Sequence, residues 1–465
     1  MVQKHTDTIV LGAGISGLSI AHAAQSRDHA VLVLESSDQV GGSIQSYRSD
    51  GYLAEHGPNS ILIKDKQVAT LLTEVGLDAH ESQAANNEAK KRYIVHQGKL
   101  HAMPNSPLTM IKTPLFSLGG KLRLALEPFI GRYAEHKNGH NEESFADFVK
   151  RRLGPDMLAS AAGPFVSGIY AGDPEKLSVR HAFPRLWSLE NRYRSFILGA
   201  IASKLGAGSN PDRLAKGKML SFRSGMHAIP KAIHDHLPHN SVKTHCTIKK
   251  IKKINTGWSV YWNNISGEQE TTCKNLVITA PHHKLKDLPL PSSVFNGLTP
   301  VMSLDSPPVT SLVLGFKKED ITHPLDGFGM LIKQSENSRL LGVLFSSSMF
   351  DGRAPEGHVT LTCMMGGTIH PEYSENSDEI VLAELDRLLG VNGKPTFRHK
   401  TIWPKAIPQY GLDYQNALDA MDEVEKNNPG LHFAGNYRGG ISVGDCIVNG
   451  LELGTRLSTN EQQGI

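Results

Sequence analysis

The 465-residue sequence has few cysteines, no long apolar run and almost no net charge. Cys246, Cys273, Cys363 and Cys446 are scattered without a C-x-x-C pair, so neither a metal site nor a disulfide framework is indicated, and a reducing compartment is expected. The longest apolar stretches, such as residues 196–202, fall far short of the roughly 20 residues that a spanning helix needs. With 49 basic and 46 acidic residues, nothing indicates a nucleic-acid partner.

We also expect no targeting leader. No positively charged, apolar segment precedes the first apolar run near Asp7, so we expect a cytoplasmic protein that does not cross a membrane. The hydrophobic fraction of 39% is ordinary for a globular protein with sizeable cores. The length allows about three domains.

What the sequence does have is a strand, a glycine turn and a helix at its start. An apolar run at residues 7–11 leads into a helix ending near Ser26, through the turn Gly12-Ala13-Gly14-Ile15-Ser16-Gly17. In this pattern the first glycine allows a tight turn, the second leaves room for a pyrophosphate, and the third lets helix and strand pack closely. The helix N-terminus offers N–H groups to phosphates. A second strand, 30–34, ends in Glu35, which can bind a ribose.

Further glycine loops favour FAD over a nicotinamide cofactor. The doublet Gly41-Gly42 follows the acidic strand end, and residues 57–60 form a third loop. Three such loops within the first sixty residues suit a long dinucleotide that stays bound. Near the other end of the chain, residues 431–450 predict a short strand, a glycine turn and a helix from Val443. That helix N-terminus would stabilise the negative charge of a reduced flavin.

The middle of the chain predicts two further units. Residues 91–95 and 99–103 indicate a hairpin, and the chain then turns helical from 104 to about 208, apart from polar segments at 135–143 and 206–211. Strands are predicted at 242–248 and 258–262, and a buried strand at 276–281 returns to the first sheet. The lysines between 249 and 253 indicate a solvated sheet edge. Residues 285–400 predict a second sheet and a helix near 381–389.

At this point the sequence resembles the protoporphyrinogen oxidase family, within the wider monoamine oxidase and phytoene desaturase group, over nearly its whole length. The most specific motifs are residues 168–178, 345–350 with Arg353-Ala354-Pro355, 403–410 and Gly435-Asn436-Tyr437. The resemblance implies an α/β fold with α+β insertions: a Rossmann-like FAD-binding domain, a mixed-sheet substrate domain and a helical membrane-binding domain. We assign the FAD-binding domain to 1–83 plus 209–285 plus 401–465. The substrate domain is assigned to 286–400 and the membrane-binding domain to 84–208.

The resemblance also implies site residues. Arg92 corresponds to an arginine that pairs with a substrate propionate, Gly168 to a backbone contact, and Leu331, Leu344 and Met364 to apolar contacts with the tetrapyrrole. Met364 departs from the plant pattern, which has Phe there. The implied FAD contacts are Gly12, Ala13, Gly14, Ile15, Ser16, Gly17, Glu35, Ser36, Gly41, Gly42, Gly57, Pro58, Asn59, Ser60, Ile248, Trp403, Ile441, Ser442 and Val443. No catalytic base is assigned and no metal is expected.

The implied reaction is the six-electron oxidation of protoporphyrinogen IX to protoporphyrin IX in heme biosynthesis, with O2 as acceptor and H2O2 as product. Coproporphyrinogen III oxidation to coproporphyrin III is the sharper alternative. Amine oxidases and carotene desaturases share the fingerprint, but they would need an aromatic cage or a longer apolar tunnel. An FAD-holding structural subunit would leave the substrate motifs idle. Ferrochelatase and a second copy of the chain are candidate partners.

The helical segment predicts peripheral contact with the inner face of the cell membrane, because apolar and basic residues mix there without a spanning run. Each cation could contribute about 1 kcal/mol near an anionic leaflet. The residues expected at the interface are the cations Lys112, Lys121 and Arg123 with the apolar Ile111, Leu115, Phe116 and Leu122.

Overall fold

The computed structural model describes residues 4–25, 27, 29–77, 80–130, 142–199, 213–372 and 377–459. The polar segment predicted at 206–211 lies outside the described residues, as does nearly all of the one predicted at 135–143. Within the described ranges no helix is both long and apolar enough to span a bilayer.

The strands are β1 Lys4–Leu11, β2 Val31–Leu34, β3 Ser46–Ser49, β4 Tyr52–Glu55, β5 Ile61–Asp65, β6 Ser82–Ala84, β7 Lys91–His96, β8 Lys99–Ala102, β9 Arg213–Phe222, β10 Val242–Lys243, β11 Thr247–Ile254, β12 Gly257–Asn264, β13 Gly267–Ile278, β14 Val309–Lys317, β15 Gly327–Ile332, β16 Leu340–Leu344, β17 His358–Gly366, β18 Phe397–Trp403 and β19 Leu431–Phe433.

The helices are α1 Ile15–Gln25, α2 Lys66–Glu74, α3 Pro107–Lys112, α4 Leu118–Ala125, α5 Phe145–Leu153, α6 Pro155–Met157, α7 Gly163–Tyr170, α8 Val179–Ala182, α9 Pro184–Tyr193, α10 Ala228–His236, α11 Ser292–Gly297, α12 Thr299–Met302, α13 Ser346–Met349, α14 Ser377–Leu389, α15 Tyr414–Asn427 and α16 Val443–Thr459. A π-helical turn, Leu158–Ala162, joins α6 to α7.

The first sheet has the order β10-β2-β1-β13-β12-β11, with β19 also paired to β13. β10, β2, β1, β13 and β19 run parallel, whereas β12 pairs antiparallel with both β13 and β11. The predicted return of the chain at 276–281 is therefore confirmed, because β13 pairs with β1 along its last residues. The lysines of β11 are exposed on an edge strand, as predicted.

The second sheet has the order β18-β14-β17-β16-β15-β7-β8. All its pairs are antiparallel except β7 with β15. One face packs under α14 through a core that includes Leu312, Met330, Val343, Cys363 and Leu385. Residues that alternate with these along the strands point to the opposite face. There Leu331 packs against the helical segment and Val313 packs against β4.

The α/β fold predicted from sequence is thus confirmed. The domain boundaries stay predictions. Strand pairing bears on the boundary between the helical segment and the second sheet. The hairpin β7–β8 falls within the segment 84–208 by residue number, yet it extends the second sheet through β15. Two small sheets, β3-β4 and β5-β9-β6, complete the connections.

The helical segment is held together by buried ion pairs. Arg152 and Glu127 are fully buried, and Arg152 Nη2 lies 2.5 Å from Glu190 Oε1. Glu127 also accepts hydrogen bonds from Ser195 Oγ and the Phe196 N–H. Because a buried charge is costly unless it is paired and hydrogen-bonded, this network fixes α5 and α9 against the turn that follows α4.

The structure corrects the prediction that Leu115 and Phe116 reach the membrane interface. Both are buried, at 3% and 5% exposure, and they pack with Ile94 of β7. They are part of the contact between the helical segment and the second sheet, which is why the local pattern of apolar and basic residues misplaced them.

Candidate functional site

The glycine turn at the end of β1 has the geometry that its sequence predicts. Gly12 has a φ of +112°, and a Cβ there would lie 2.7 Å from Thr279 Oγ1. A Cβ on Gly17 would lie 2.1 Å from the Gly12 carbonyl oxygen, so α1 approaches the turn too closely for any side chain. A Cβ on Gly14 would meet nothing within 4 Å. The turn is therefore tight on its protein side and open where a phosphate would approach.

Glu35 lies beside the open space at Gly14. Its carboxylate is buried and accepts hydrogen bonds from the Ala13 N–H at 2.7 Å and from Ser37 Oγ at 2.6 Å. Ser36 Oγ lies 3.3 Å from the same carboxylate. The Cys246 N–H donates to the Glu35 carbonyl oxygen, which brings the start of β11, with Ile248, next to this strand end. An acidic group thus lies where a ribose would be bound.

The second and third loops join the same edge of the sheet. The Gly41 N–H donates to the Ala13 carbonyl oxygen at 2.8 Å, and a Cβ on Gly42 would lie 3.5 Å from Gly14 Cα. Trp403 Nε1 donates to the His56 carbonyl oxygen at 2.8 Å, which places β18 against the loop 57–60. These loops come together through a backbone hydrogen bond between Gly41 and Ala13 and through side-chain bonds of Trp403 and Glu35.

Two parallel helices point their N-termini at this edge. A Cβ on Gly450 would lie 2.9 Å from the Ser16 carbonyl oxygen, and one on Gly454 would lie 2.4 Å from that of Ile20. These glycines let α16 lie directly on α1. Ser442 caps α16 by accepting a hydrogen bond from the Asp445 N–H. The free N–H groups at both helix starts favour a negatively charged ligand.

Together these residues fit FAD: open space at Gly14 for a pyrophosphate, a buried carboxylate for a ribose and a second helix N-terminus further along the edge. The structure brings the turn 12–17, Glu35 and the loop at Gly41-Gly42 together at the ends of β1 and β2. Each individual contact stays a prediction.

Tyr410 is a residue of this site that the sequence did not single out by role. Its hydroxyl donates to the Asn436 carbonyl oxygen at 2.7 Å and accepts from the Gly440 N–H at 3.0 Å. Burial raises the pKa of the Tyr410 phenol well above its usual value, so the hydroxyl keeps its proton. The Tyr414 ring stacks on the Tyr410 ring with their centroids 4.1 Å apart, and the Tyr414 hydroxyl donates to the Tyr437 carbonyl oxygen. The two tyrosines therefore hold the loop that leads into α16.

The predicted substrate residues lie on one face of the second sheet. Leu331 of β15 is opposite Ile94 on one side and Gly342 on the other, and Gly342 is opposite Met364. Leu344 is two residues from Gly342 on β16 and therefore shares this face. All three apolar side chains are only partly buried. Their common orientation is what a floor for a flat apolar ligand requires.

Arg92 and Gly168 border this floor. Arg92 pairs with Gly329 on β15, is exposed, and has its guanidinium 5.3 Å from the Phe328 ring centroid. It makes no side-chain hydrogen bond or ion pair with a described residue. A Cβ on Gly168 would lie 2.4 Å from Leu331 Cδ2, so α7 touches the floor through backbone. The structure thus leaves Arg92 available to an anion.

The same sheet face continues from the floor to the cofactor edge. Beyond Met364 it reaches Ser311 of β14, and Ser311 is opposite Thr401 of β18. Two residues from Thr401, His399 Nε2 lies 2.9 Å from His56 Nε2. His56 immediately precedes the predicted cofactor loop 57–60. The floor and the cofactor edge are therefore only about two strand spacings apart, or roughly 10 Å.

A buried ion pair joins the two parts of the site. Arg353 Nη1 lies 3.0 Å from Glu55 Oε1, and the two residues are 2% and 4% exposed. Ser46 and Ser221 also bind this pair. Arg353 belongs to a motif noted in the sequence, but its partner Glu55 could not be found from sequence because β4 and residue 353 are distant in the chain.

Lys333 is a further residue that sequence reasoning missed. It follows β15 directly and is 7% exposed. Its ammonium group donates to Ser160 Oγ at 3.0 Å and to His96 Nδ1 at 3.2 Å. A single lysine after an apolar strand carries no local signal, so only the fold could show that it is buried.

The side chains that could attach a flavin covalently are already engaged or unreactive. Burial raises the pKa of the Cys446 thiol to about 12, and the thiolate, not the thiol, is the nucleophile. His56 Nε2 is engaged with His399. All four cysteines are buried and free.

Comparison with known proteins gives a consistent result. Residues 15–453 match the family of flavin containing amine oxidoreductases. The chain is 33% identical to the mitochondrial protoporphyrinogen oxidase of Nicotiana tabacum, covering 95% of this chain and 92% of the relative. It is 27% identical to the coproporphyrinogen III oxidase of Bacillus subtilis (strain 168), covering 96% of each.

Solved structures agree at the level of the fold. A candidate protoporphyrinogen oxidase from Exiguobacterium sp. 255-15 superposes with a TM-score of 0.80 at 19% identity, covering 99% of this chain and 100% of that one. Reduced UDP-galactopyranose mutase superposes with a TM-score of 0.74 at 15% identity, covering 98% and 96%.

Proposed function

Because the chain belongs to the flavin containing amine oxidoreductases and, within them, to the protoporphyrinogen oxidase family, we propose that it oxidises protoporphyrinogen IX to protoporphyrin IX with O2 as acceptor. Membership makes the protein an FAD-dependent oxidoreductase. The substrate, the acceptor and the product H2O2 are our proposal. Balancing the six-electron oxidation takes three molecules of O2 and forms three of H2O2.

When bound, FAD supplies two-electron oxidation chemistry. The task of the chain is to hold the substrate over the apolar floor, with a propionate on Arg92, and to keep water away from the reacting atoms. The floor formed by Leu331, Leu344 and Met364 suits the apolar macrocycle of a tetrapyrrole. No described side chain is assigned as a base.

The observation that carries the proposal is the placement of Arg92. It lies at one end of a sheet face that begins with the apolar floor and continues through Ser311 and Thr401 to the cofactor edge. It has no ion-pair partner among the described residues. A propionate on Arg92 would therefore hold the macrocycle over the floor that leads to the cofactor edge. An amine or a carotenoid offers no carboxylate to this arginine.

The test is anaerobic mixing of the purified holoprotein with protoporphyrinogen IX. We expect the flavin absorption band to bleach at a rate that saturates with substrate, and to return on admission of O2 with formation of H2O2. A flavin that stays oxidised, or one that a primary amine bleaches faster, would contradict the proposal.

Coproporphyrinogen III is the second candidate substrate. Relatives that are 26% to 27% identical to this chain are coproporphyrinogen III oxidases. Running both porphyrinogens in the same anaerobic experiment gives their ratio of kcat/KM directly. A ratio that favours the tetracarboxylate would transfer the proposal to coproporphyrin formation.

We also propose that the protein rests on the cytoplasmic face of a membrane. Several large apolar side chains around α3 and α4 are exposed to solvent. They are Leu108 (72%), Ile111 (68%), Leu118 (84%), Leu122 (63%), Leu126 (46%) and Phe129 (84%). Such an apolar surface beside Lys112 suits the interface of an anionic bilayer. Lys121 and Arg123 already bind the main-chain carbonyl oxygens of Ile111 and Arg151, so we expect apolar insertion to dominate over charge.

A liposome flotation assay tests the membrane proposal. The double variant Leu118→Glu/Phe129→Glu should remain unbound, whereas Ile265→Glu should still float with the vesicles. Ile265 is a matched control because it is 90% exposed in the turn between β12 and β13. Equal binding of all three proteins, or no binding of the unchanged protein, would refute this placement.

A further inference from the structure

Three of the sequence motifs that the proposed function leaves largely unexplained meet at two neighbouring residues, Gln409 and Tyr410. These motifs are residues 168–178, 403–410 and 435–437. The Tyr410 carbonyl oxygen accepts a hydrogen bond from the Ser178 N–H at 2.9 Å, and Leu177 pairs with Gly411 in an isolated antiparallel bridge. The first motif is thus attached to the second through main-chain groups, although the two are distant in the chain.

Gln409 binds the end of helix α7. It is 8% exposed, and its side-chain amide donates to the Tyr170 and Ile407 carbonyl oxygens, each at 2.9 Å. Tyr170 is the last residue of α7, and the last carbonyl groups of a helix have no partner within the helix. A Cβ on Gly172 would lie 2.2 Å from Gln409 Oε1, so the chain that follows α7 also packs against this amide. Gln409 therefore fixes the position of this helix end.

Helix α7 borders the substrate floor at two points. A Cβ on Gly168 would lie 2.4 Å from Leu331 Cδ2. Ala171, directly after α7, packs in one apolar cluster with Met364 of the floor. The Ala171 carbonyl oxygen also accepts a hydrogen bond from the Thr368 N–H at 2.8 Å, which ties the helix end to the chain after β17. A shift of this helix end would therefore move the border of the floor.

Tyr410 binds the other part of the site. Its hydroxyl donates to the Asn436 carbonyl oxygen and accepts from the Gly440 N–H, in the loop before α16. The predicted cofactor contacts 441–443 follow Gly440 directly. Because the Cα atoms of neighbouring residues are only about 3.8 Å apart, a displacement at Gln409 reaches Tyr410 across a single peptide unit. Residues 409 and 410 thus connect the border of the floor to the cofactor loop.

We propose that Gln409 and Tyr410 are positioning residues, which together set the distance between the border of the substrate floor and the cofactor edge. Gln409 acts through α7, and Tyr410 acts through the loop 436–440. The inference rests on the proposed porphyrinogen oxidation, because this distance matters for a reaction between substrate and cofactor. Such a reaction needs its reacting atoms about 3–3.5 Å apart, and an error of about 1 Å can lower the rate about a hundredfold.

The experiment measures anaerobic flavin reduction by protoporphyrinogen IX in Gln409→Met, which keeps the length of the side chain and removes its donors. We expect the limiting rate at saturating substrate to fall about ten- to a hundredfold, whereas the half-saturating concentration should change less than about threefold. FAD content should stay unchanged, because the Gln409 side chain donates to Tyr170 and Ile407, neither of which is a predicted cofactor contact.

Hydrogen exchange followed by mass spectrometry gives a readout that does not depend on turnover. In Gln409→Met, peptides covering 163–172 should exchange faster than in the unchanged holoprotein, and so should peptides covering 436–443 on the far side of the link. Tyr410→Phe removes the other end of the link and should produce the same two changes, which keeps the test available if Gln409→Met does not accumulate. Faster exchange confined to 163–172 in Gln409→Met would mean that Gln409 only caps α7, and the proposal would be wrong.

Asn428→Leu is the matched control. Asn428 is 6% exposed, and its amide donates to the Val424 carbonyl oxygen near the end of α15, so this change also removes a buried amide from a helix end. The limiting rate should be nearly unchanged in this variant. If Gln409→Met and Asn428→Leu lower the limiting rate equally, or if Gln409→Met raises the half-saturating concentration and leaves the rate intact, the two residues do not set this distance.

The two levels of proposal fail separately. A flavin that neither porphyrinogen bleaches would refute the proposed function, and the exchange data would still decide whether residues 409 and 410 connect the two parts of the site. Bleaching at an undiminished limiting rate in Gln409→Met would refute the positioning role and leave the proposed function intact.

Discussion

The buried pair Arg353–Glu55 should decide whether the two halves of the site stay together. Glu55 ends β4 directly before the cofactor loop, and Arg353 belongs to the connection that follows α13 beside the second sheet. In Arg353→Met the carboxyl of Glu55 keeps its hydrogen bonds from Ser46 and Met226 but loses its cation. Removing one partner of a buried pair leaves an uncompensated charge, which costs about 3–5 kcal/mol. We expect a loss of unfolding free energy of this size and a reduced FAD content.

The loss should depend on pH. Burial raises the pKa of Glu55, and the Arg353 guanidinium opposes this rise together with the hydrogen bonds from Ser46 and Met226, so removing Arg353 raises the pKa of Glu55 further. A carboxyl whose folded pKa lies above its unfolded value is stabilising below the unfolded pKa of about 4.5 and loses that contribution as pH rises. The variant should therefore be less destabilised at pH 5 than at pH 8.

The measurement is urea unfolding followed by circular dichroism and by flavin fluorescence, in a double-mutant cycle. Adding Glu55→Gln to Arg353→Met should recover part of the loss, because the buried charge is then gone. Lys231→Met is the control: the Lys231–Asp235 pair is exposed on α10, and such pairs contribute only about 0–1 kcal/mol. If Arg353→Met costs no more than Lys231→Met, or if Glu55→Gln does not recover stability, the reasoning is refuted.

Three further predictions concern the substrate, the cofactor and the acid limb of stability. Arg92→Ala should raise KM for the porphyrinogen by about ten- to a hundredfold with unchanged flavin content. Arg92→Lys should recover only part of this loss, because an ammonium group lacks the planar guanidinium that binds both carboxylate oxygens. An unchanged KM in Arg92→Ala would remove Arg92 from the site. Acid precipitation should release the flavin into the supernatant, since the Cys446 thiol is buried and protonated; yellow colour that stays in the pellet would show a covalent bond. Burial, aided by His283 and Lys405, lowers the pKa of His282 to about 4. The unfolded chain therefore binds more protons than the folded chain below pH 6.5, and the free energy of unfolding rises with pH between about 4 and 6.5. His282 should account for about 2 kcal/mol of the stability lost between pH 7 and pH 5, and the stability of His282→Gln should depend correspondingly less on pH.

Much of the site could be predicted from sequence because its signals are local. The turn 12–17 lies between two apolar runs, and the close approach of Gly17 to the Gly12 carbonyl oxygen arises within the same strand–turn–helix unit. The hairpin β7–β8 and the helices α14 and α16 likewise follow from spacing and turn residues a few positions apart. Such features depend on neighbours in the chain, so they can be read without knowing the fold.

Pairing between distant segments was decided by the tertiary structure alone. A strand pattern shows which residues alternate, but it does not say which strand lies opposite, and so nothing local predicts that β7 runs parallel to β15 or that Arg92 faces Gly329. The same limit explains Leu115 and Phe116, whose burial depends on Ile94, and Lys333, whose partners Ser160 and His96 come from two other parts of the chain. Sequence by itself determined the cofactor turn, the family resemblance and the type of many elements, but not the strands β5, β6 and β9. The arrangement of charge around the substrate floor was set only when long-range strand register brought those elements together.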